Sequence, residues 1–100
     1  MRLSPEERRA IVEEIRRKLP DARIYLYGSR ADESLRGGDI DLLVVGRGFE
    51  WADKIDMLIA IKARIGEQRI DLKLVTPEEA ATDVFVQAVL PAAMRLSCSD

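Results

Sequence analysis

The chain has 100 residues, of which 47% are hydrophobic and 34% are charged, with 16 basic residues against 18 acidic ones. This length suits one domain over residues 1–100 with a single modest core, and it leaves no room for a separate substrate-recognition domain. The net charge of −2 argues against strong nucleic-acid binding, which is driven by basic side chains that neutralise phosphates. No apolar stretch approaches the roughly 18 to 20 residues of a membrane span. We therefore expect a cytoplasmic protein without a membrane partner.

The residue types that the chain lacks restrict its chemistry. Histidine is absent, and Cys98 is the only cysteine. These counts exclude Ser-His-Asp and Cys-His catalysis, histidine-ligated zinc and an internal disulfide. Carboxylates, hydroxyls and cations are left as the functional groups.

Apolar spacing and capping residues predict seven elements. In chain order they are a helix over about 5–18, a strand over 23–27, a short helix over about 30–35, a strand over 40–45, a helix over 50–65, a strand over 69–75, and a helix that opens after Thr76 and continues through Ala88. The segment 40–45 is apolar apart from Asp41, which is typical of an interior strand. We expect an α/β (α+β) fold in which a mixed sheet of three to four strands carries helices mainly on one face.

Two capping boxes and one long uncharged segment stand out among the helices. The boxes open at Ser4 and Thr76. No charged residue occurs from Val84 to Met94, so either both faces of this segment are buried or one face contacts a partner. Trp51 and Phe85 are more typical of core positions than of base-stacking platforms.

Three aspartates favour a metal site. Asp39 and Asp41 open a strand and point to the same side, roughly 6.5 to 7 Å apart, while a neighbouring strand lies about 4.8 Å away and Asp71 is the acid within the third predicted strand. We therefore expect the three carboxylates to converge. Hard oxygen ligands suit Mg²⁺ or Mn²⁺, and a pair of such ions is an established device for phosphoryl displacement. Gly28-Ser29 would let backbone N–H groups approach a phosphate.

Each of these residues has a structural alternative. Asp39 and Asp41 could be solvated turn residues that cap a strand, and Asp71 could belong to an ordinary solvated strand face. Ser29 could act only as an N-cap, a role compatible with phosphate binding because both use the same backbone turn. Arg30 could reach a phosphate, although surface arginines seldom have so specific a role.

The order Gly28-Ser29, nine intervening residues and then Asp39-Ile40-Asp41 resembles the signature of the DNA polymerase β-like nucleotidyltransferases, in particular their minimal nucleotidyltransferase (MNT) branch. The resemblance covers about residues 23–75. It implies two sets of site residues. The ligands of two Mg²⁺ (or Mn²⁺) ions and the catalytic acids are Asp39, Asp41 and Asp71, and the residues that bind ATP or another nucleoside triphosphate are Gly28, Ser29 and Arg30.

The resemblance also implies a reaction and a partner. Such enzymes transfer a nucleoside monophosphate, here AMP from ATP, to a hydroxyl group, and Asp71 would take up or orient the acceptor's proton. MNT-like proteins are often antitoxins of a helical HEPN-type ribonuclease, which the chain would modify. The alternative is a catalytically silent antitoxin with a vestigial site. Two departures from the family's pattern favour the alternative: Asp32-Glu33 adds negative charge near the triphosphate, and Gly38 stands where a serine is common.

Overall fold

A computed structural model describes residues 3–31 and 38–97, apart from the side chain of Ser29. The helices are α1 (Pro5–Lys18), α2 (Trp51–Ile65), α3 (Pro77–Thr82) and α4 (Val84–Val89), and the strands are β1 (Arg23–Tyr27), β2 (Ile40–Val45), β3 (Ile70–Val75) and β4 (Met94–Leu96). Short 3₁₀ turns follow β1 and α4, at Gly28–Ala31 and Leu90–Ala92. Within these described ranges, no helix is long and apolar enough to cross a membrane.

Helix α1 begins at the predicted capping box. The Glu7 N–H donates to Oγ of Ser4 at 3.1 Å, and the Ser4 N–H donates to the Glu7 carboxylate at 2.9 Å. Thr76 and Glu79 repeat the same pair of hydrogen bonds at the start of α3. Each box satisfies backbone N–H groups that the first helical turn leaves without an intrahelical partner, which fixes where the helix starts.

The four strands form one mixed sheet in the order β3-β2-β1-β4. Strand β1 is antiparallel to both β2 and β4, whereas β2 and β3 are parallel because α2 carries the chain back across the sheet between them. The mixed sheet predicted from the sequence is confirmed. Strand β2 has neighbours on both sides and buries every residue except Asp41, as its apolar pattern predicted.

The two long helices cover one face of the sheet. They pack on the even-numbered side chains of β1 and β2, and the resulting core is completed by Met57 and Ile61 of α2. Glu14 of α1 is only 8% exposed and lies 3.0 Å from the guanidinium of Arg64 in α2. The helices are therefore joined both by apolar packing and by an ion pair at their interface.

The opposite face is covered by the two short helices. Ala80 of α3 and Val86 of α4 pack with Leu43, Val45 and Val75 in a second, smaller cluster. This cluster occupies the end of the sheet where β2 and β3 finish. The other end of the same face, where β2 and β3 begin, carries the polar residues described below.

The prediction of one continuous helix after Thr76 is wrong. Asp83 interrupts it with an extended backbone (φ −73°, ψ 121°), and its Oδ1 accepts the Val86 N–H at 3.0 Å as the N-cap of α4. A short acidic side chain competes for backbone N–H groups, so aspartate favours a cap over a helix interior. Strand β4, which follows this region, was not among the predicted elements and brings the sheet to four strands.

The prediction that Trp51 and Phe85 are core residues is also wrong, since they are 74% and 43% exposed. Helix α2 is apolar on most of its circumference, so its periodicity does not decide which residues meet the sheet. The structure buries Met57 and Ile61 and leaves the row Trp51, Ile55 and Ile59 exposed.

Candidate active site

A row of three polar side chains crosses the sheet where β2 and β3 begin. The strand register pairs Tyr27 of β1 with Asp41 of β2, and Asp41 with Asp71 of β3. Paired residues on adjacent strands point to the same face and lie about 5 Å apart. The predicted approach of the carboxylates is therefore seen for Asp41 and Asp71, which are thirty positions apart in the chain.

The negative charges of the aspartates in and beside this row repel one another. Burial raises the pKa of Asp41 above its ordinary value, and the negative charges of Asp71 and Asp39 raise it further. Across residues 3–31 and 38–97, no cationic side chain forms an ion pair with Asp41 or Asp71. Close carboxylates without a counter-ion disfavour the ionised state, and a bound cation would remove that penalty.

Gly28 brings the backbone directly against Asp41. Its φ is +74°, a backbone conformation that residues with a Cβ rarely adopt. A Cβ at this position would lie 3.3 Å from Cγ of Asp41 and would overlap its Oδ2. Only glycine permits this approach, so the turn after β1 and the carboxylate on β2 form one unit.

Asp39, unlike the other two aspartates, has a cationic neighbour among the described residues. It precedes β2, and its Oδ2 lies 3.7 Å from Nε of Arg69. In the described part of the chain, no three histidine, cysteine or acidic side chains are close enough together to hold a metal ion. The structure thus brings Asp41 and Asp71 together and turns Asp39 toward Arg69.

The turn after Gly28 is held by Arg30. Its Nε donates to the Gly38 carbonyl at 3.4 Å, and its guanidinium lies 3.5 Å from Oε1 of Gln68. Arg30 therefore links the turn to the approaches of β2 and β3. The short helix predicted over 30–35 falls mostly outside the described residues, as do Asp32 and Glu33, and the described part of this segment is a 3₁₀ turn that ends at Ala31.

Tyr27 and Phe85 border the carboxylates and were missed as site residues by the sequence analysis. Burial raises the pKa of Tyr27 to about 12, with further contributions from the charges of Asp71 and Asp41. Its ring meets that of Phe85 edge-on at 5.5 Å, and Nζ of Lys73 lies 5.4 Å from the Phe85 ring. The same residues, with Lys54, Asp71 and Leu72, line an open cavity of about 270 Å³. The position of Tyr27 immediately before Gly28 was the available sequence signal.

Comparison with known proteins identifies the family of the chain. The sequence model of the nucleotidyltransferase domain family matches residues 8–90. The chain belongs to this family. The resemblance inferred from the Gly28-Ser29 and Asp39-Ile40-Asp41 segments is thereby confirmed at the level of the family. As a nucleotidyltransferase, the chain is a transferase, and domains of this kind generally use nucleoside triphosphates and divalent metal ions.

One solved structure supports the fold assignment. A Sulfolobus solfataricus protein described as "a putative nucleotidyltransferase" superposes with a TM-score of 0.56 at 22% sequence identity, over 91% of this chain and 77% of that chain. This likeness concerns the fold of the nucleotidyltransferase domain. No curated protein matches the sequence significantly.

Proposed function

We propose that this nucleotidyltransferase transfers AMP from ATP to a hydroxyl group of a partner protein. The observation that carries the proposal is the pair Asp41 and Asp71, which lie side by side without a cationic partner among the described residues. Asp41 also lies against the backbone of Gly28. The choice of AMP and ATP, and of a protein acceptor, follows the resemblance to the MNT branch. Because the reaction consumes ATP, the proposal includes a cytoplasmic location.

The donor set fits divalent metal ions. Two carboxylates with hard oxygen atoms and unrelieved mutual repulsion are suited to Mg²⁺, and Mn²⁺ accepts the same ligands. Asp41 and Asp71 would hold the ions. Asp39, whose Oδ2 lies 3.7 Å from Nε of Arg69, would become a third ligand if its carboxylate turned away from Arg69. When bound, two such ions would neutralise the charge that develops on the triphosphate during displacement.

The remaining roles belong to the chain's own groups. The Gly28 backbone, which carries no side chain of its own, and Ser29 would bind the β- and γ-phosphates. Arg30 supports them by fixing the turn through the Gly38 carbonyl. Asp71 would take up or orient the proton of the acceptor hydroxyl, because it is exposed and borders the open cavity.

The proposed partner is a helical HEPN-type toxin, for which the chain would be the antitoxin. The uncharged segment from Val84 to Met94 supports an intermolecular contact, since Val84 is 84% exposed and Phe85 and Met94 are also exposed. Phe85 lies beside the cavity that Asp71 borders, so an acceptor bound on this segment would lie close to the carboxylates.

A thermal-shift titration tests nucleotide binding. Mg²⁺ with ATP should raise the melting temperature, because a ligand that binds only the folded state stabilises it, and the shift should disappear in Asp41→Asn. The other nucleoside triphosphates, tested in parallel, establish the base preference. Absence of a shift with every nucleotide would contradict the enzymatic proposal.

Label transfer tests the reaction and the acceptor. The chain is co-expressed with a HEPN-type protein and incubated with Mg²⁺ and ATP labelled at the α-phosphate. Label should appear on the partner protein with the wild-type chain and not with Asp41→Asn. ATP labelled at the γ-phosphate is the control, because nucleotidyl transfer leaves that phosphate in pyrophosphate.

A second candidate function is a catalytically silent antitoxin. The orientation of Asp39 toward Arg69 favours it, because fewer than three acids then face one ion site. Under this proposal Asp41→Asn would still neutralise the partner in a ribonuclease assay, and no label would be transferred. The enzymatic proposal expects the same variant to lose neutralisation.

A further inference from the structure

Among the described residues, no strand pairs with the outer edge of β3. Of the described strands, β3 lies at one end of the sheet, with β2 as its neighbour. The carbonyls of Arg69 and Val75 accept the N–H groups of Ile40 and Gly46 at 3.0 and 2.9 Å. Since alternate residues of a strand direct their backbone groups to opposite sides, the even-numbered residues of β3 direct theirs outward. These residues are Ile70, Leu72 and Leu74.

An exposed apolar row on α2 begins beside this edge. Trp51, Ile55 and Ile59 follow one another at the spacing of one helix face and are 74%, 46% and 63% exposed. Trp51 lines a cavity of about 190 Å³ with Leu74, near the end of β3. The end of α2 is joined to the start of β3 by a short connection, so α2 runs antiparallel alongside the strand. The row and the outward backbone groups of β3 form one surface, which we call the β3 edge surface.

We propose that the chain forms a two-fold symmetric dimer through the β3 edge surface, with the β3 strands of both copies paired antiparallel about Leu72. This register places Leu72 opposite the partner subunit's Leu72, and Ile70 opposite the partner subunit's Leu74. All of these residues direct their backbone groups outward, so each pair exchanges two hydrogen bonds. Helix α2 follows the strand in each copy, so the two apolar rows meet beside the paired strands.

Charge complementarity identifies a second copy as the occupant, and the length of paired strand favours this register. An axis at Ile70 or at Leu74 avoids like charges but would pair much less of β3. On the other sheet face, Asp71 lies opposite the partner subunit's Lys73, and symmetry makes this pair twice. A shift of the two-fold axis to Asp71 or to Lys73 would set two like charges opposite each other. An intermediate shift would pair residues that point to opposite faces, which the pleat forbids.

The dimer goes beyond the transfer reaction and has a consequence for it. Lys73 already projects on the face that carries Asp71, since its Nζ lies 3.6 Å from Asp83 and 5.4 Å from the Phe85 ring. Pairing of the strands brings the partner subunit's Lys73 to the edge of each carboxylate site. The second copy thus supplies a cation beside Asp71.

Sedimentation velocity from micromolar to millimolar concentration tests the association. The wild-type chain should pass from monomer to dimer over this range. Trp51 is the only tryptophan, so its emission should shift to shorter wavelength over the same concentrations as its exposed ring becomes buried. A chain that remains monomeric at every concentration overturns the proposal. It would mean that the charged side chains of β3 prevent the strand edge from pairing with another copy.

Charge reversal tests the register. Lys73→Asp and Asp71→Lys each replace two attractive pairs by two repulsive ones, and self-association should weaken about 100-fold in each variant. An equimolar mixture of the two variants should form a heterodimer, because every cross-strand pair is then attractive again. Arg23→Asp is the matched control, since Arg23 is an exposed residue on the same face of β1, away from the edge. The register is overturned if the mixture does not associate, or if Arg23→Asp weakens the dimer as strongly.

Ile59→Lys tests the helical part of the surface without altering the sheet. Ile59 is exposed in one chain, so the variant should fold, as far-UV circular dichroism would verify. In the dimer, the introduced charge would meet the apolar row of the other copy, and the variant should sediment as a monomer. A dimer of undiminished affinity overturns the proposal even if the strand variants fail to fold.

Discussion

Glu14 is buried and Asp41 is partly buried, yet the two carboxylates have different surroundings. The Glu14 carboxylate lies between α1 and α2, 3.0 Å from Arg64 and 3.3 Å from Arg17. Asp41 has no such partner among the described residues, and burial together with neighbouring acids raises its pKa. Glu14 is thus neutralised within the chain, whereas no cationic side chain among the described residues neutralises Asp41.

Asp41→Asn should have the largest effect of the changes considered, because it lowers nucleotidyl transfer without lowering stability. Loss of a metal ligand should reduce nucleotidyl transfer by more than about 100-fold, since even residues that only support ligands contribute about 10- to 100-fold. In the presence of a chelator, the same variant should be at least as stable as the wild type because it relieves the repulsion with Asp71. Transfer of α-labelled phosphate and urea unfolding in EDTA measure the two effects.

A matched change in the packed region is Arg64→Met, which leaves the carboxylate row untouched. If Asp41→Asn lowered stability in EDTA while nucleotidyl transfer persisted, the proposed difference between Glu14 as a packing residue and Asp41 as a metal ligand would be contradicted.

Gly28→Ala should disrupt the contact between the turn and the carboxylate. Gly28 and Gly48 share a φ of 74°, but a Cβ at Gly48 meets no atom within 4 Å. Gly48→Ala should therefore carry only the conformational penalty, about 1 kcal/mol, whereas Gly28→Ala adds the overlap with Asp41, about 1 to 3 kcal/mol more. Urea unfolding of both variants measures the difference. Combining Gly28→Ala with Asp41→Ala should recover most of the added loss, and equal losses at the two glycines would contradict a close approach.

Arg64→Met should lower stability without changing the reaction. The variant leaves the buried Glu14 carboxylate with a single cation, Arg17, whose side chain is mostly exposed. The free energy of unfolding should fall, and the transfer rate should stay within about two-fold of the wild type because the site is on the opposite face of the sheet. Adding Glu14→Leu should restore part of the loss. Unchanged stability of Arg64→Met would show that the pair contributes nothing to packing.

The Asp83 cap should give the smallest effect, visible only in acid. The hydrogen bond from the Val86 N–H lowers the pKa of Asp83, and Lys73 lowers it further. Its stabilising contribution is complete above the pKa of unfolded aspartate and is lost as the pH falls through the lower folded value. Asp83→Asn keeps a cap acceptor but does not titrate, so its melting temperature should fall less between about pH 5 and pH 2. If the melting temperatures of the wild type and of Asp83→Asn fell equally over this pH range, protonation of Asp83 would not contribute to the loss of stability in acid.

Local patterns predicted most of the elements and part of the site. Both capping boxes, the bounds of β1 and β2 and the mixed sheet agree with the sequence expectations. Burial on α2 was not predictable, because Trp51 and Met57 lie on different faces of a helix that is apolar nearly all round. The orientation of Asp39 toward Arg69 was equally hidden, since it depends on a contact between segments thirty residues apart.

By itself, the sequence determined that a glycine turn and an acidic pair flank two strands, because turn chemistry and strand periodicity act over a few neighbouring residues. It also determined the family, through the spacing of Gly28-Ser29 and Asp39-Ile40-Asp41. Only the tertiary structure decided that Asp71 stands beside Asp41, that Gly28 contacts this carboxylate and that β3 has an open edge. These features depend on strand order and register, which are set by packing between distant parts of the chain.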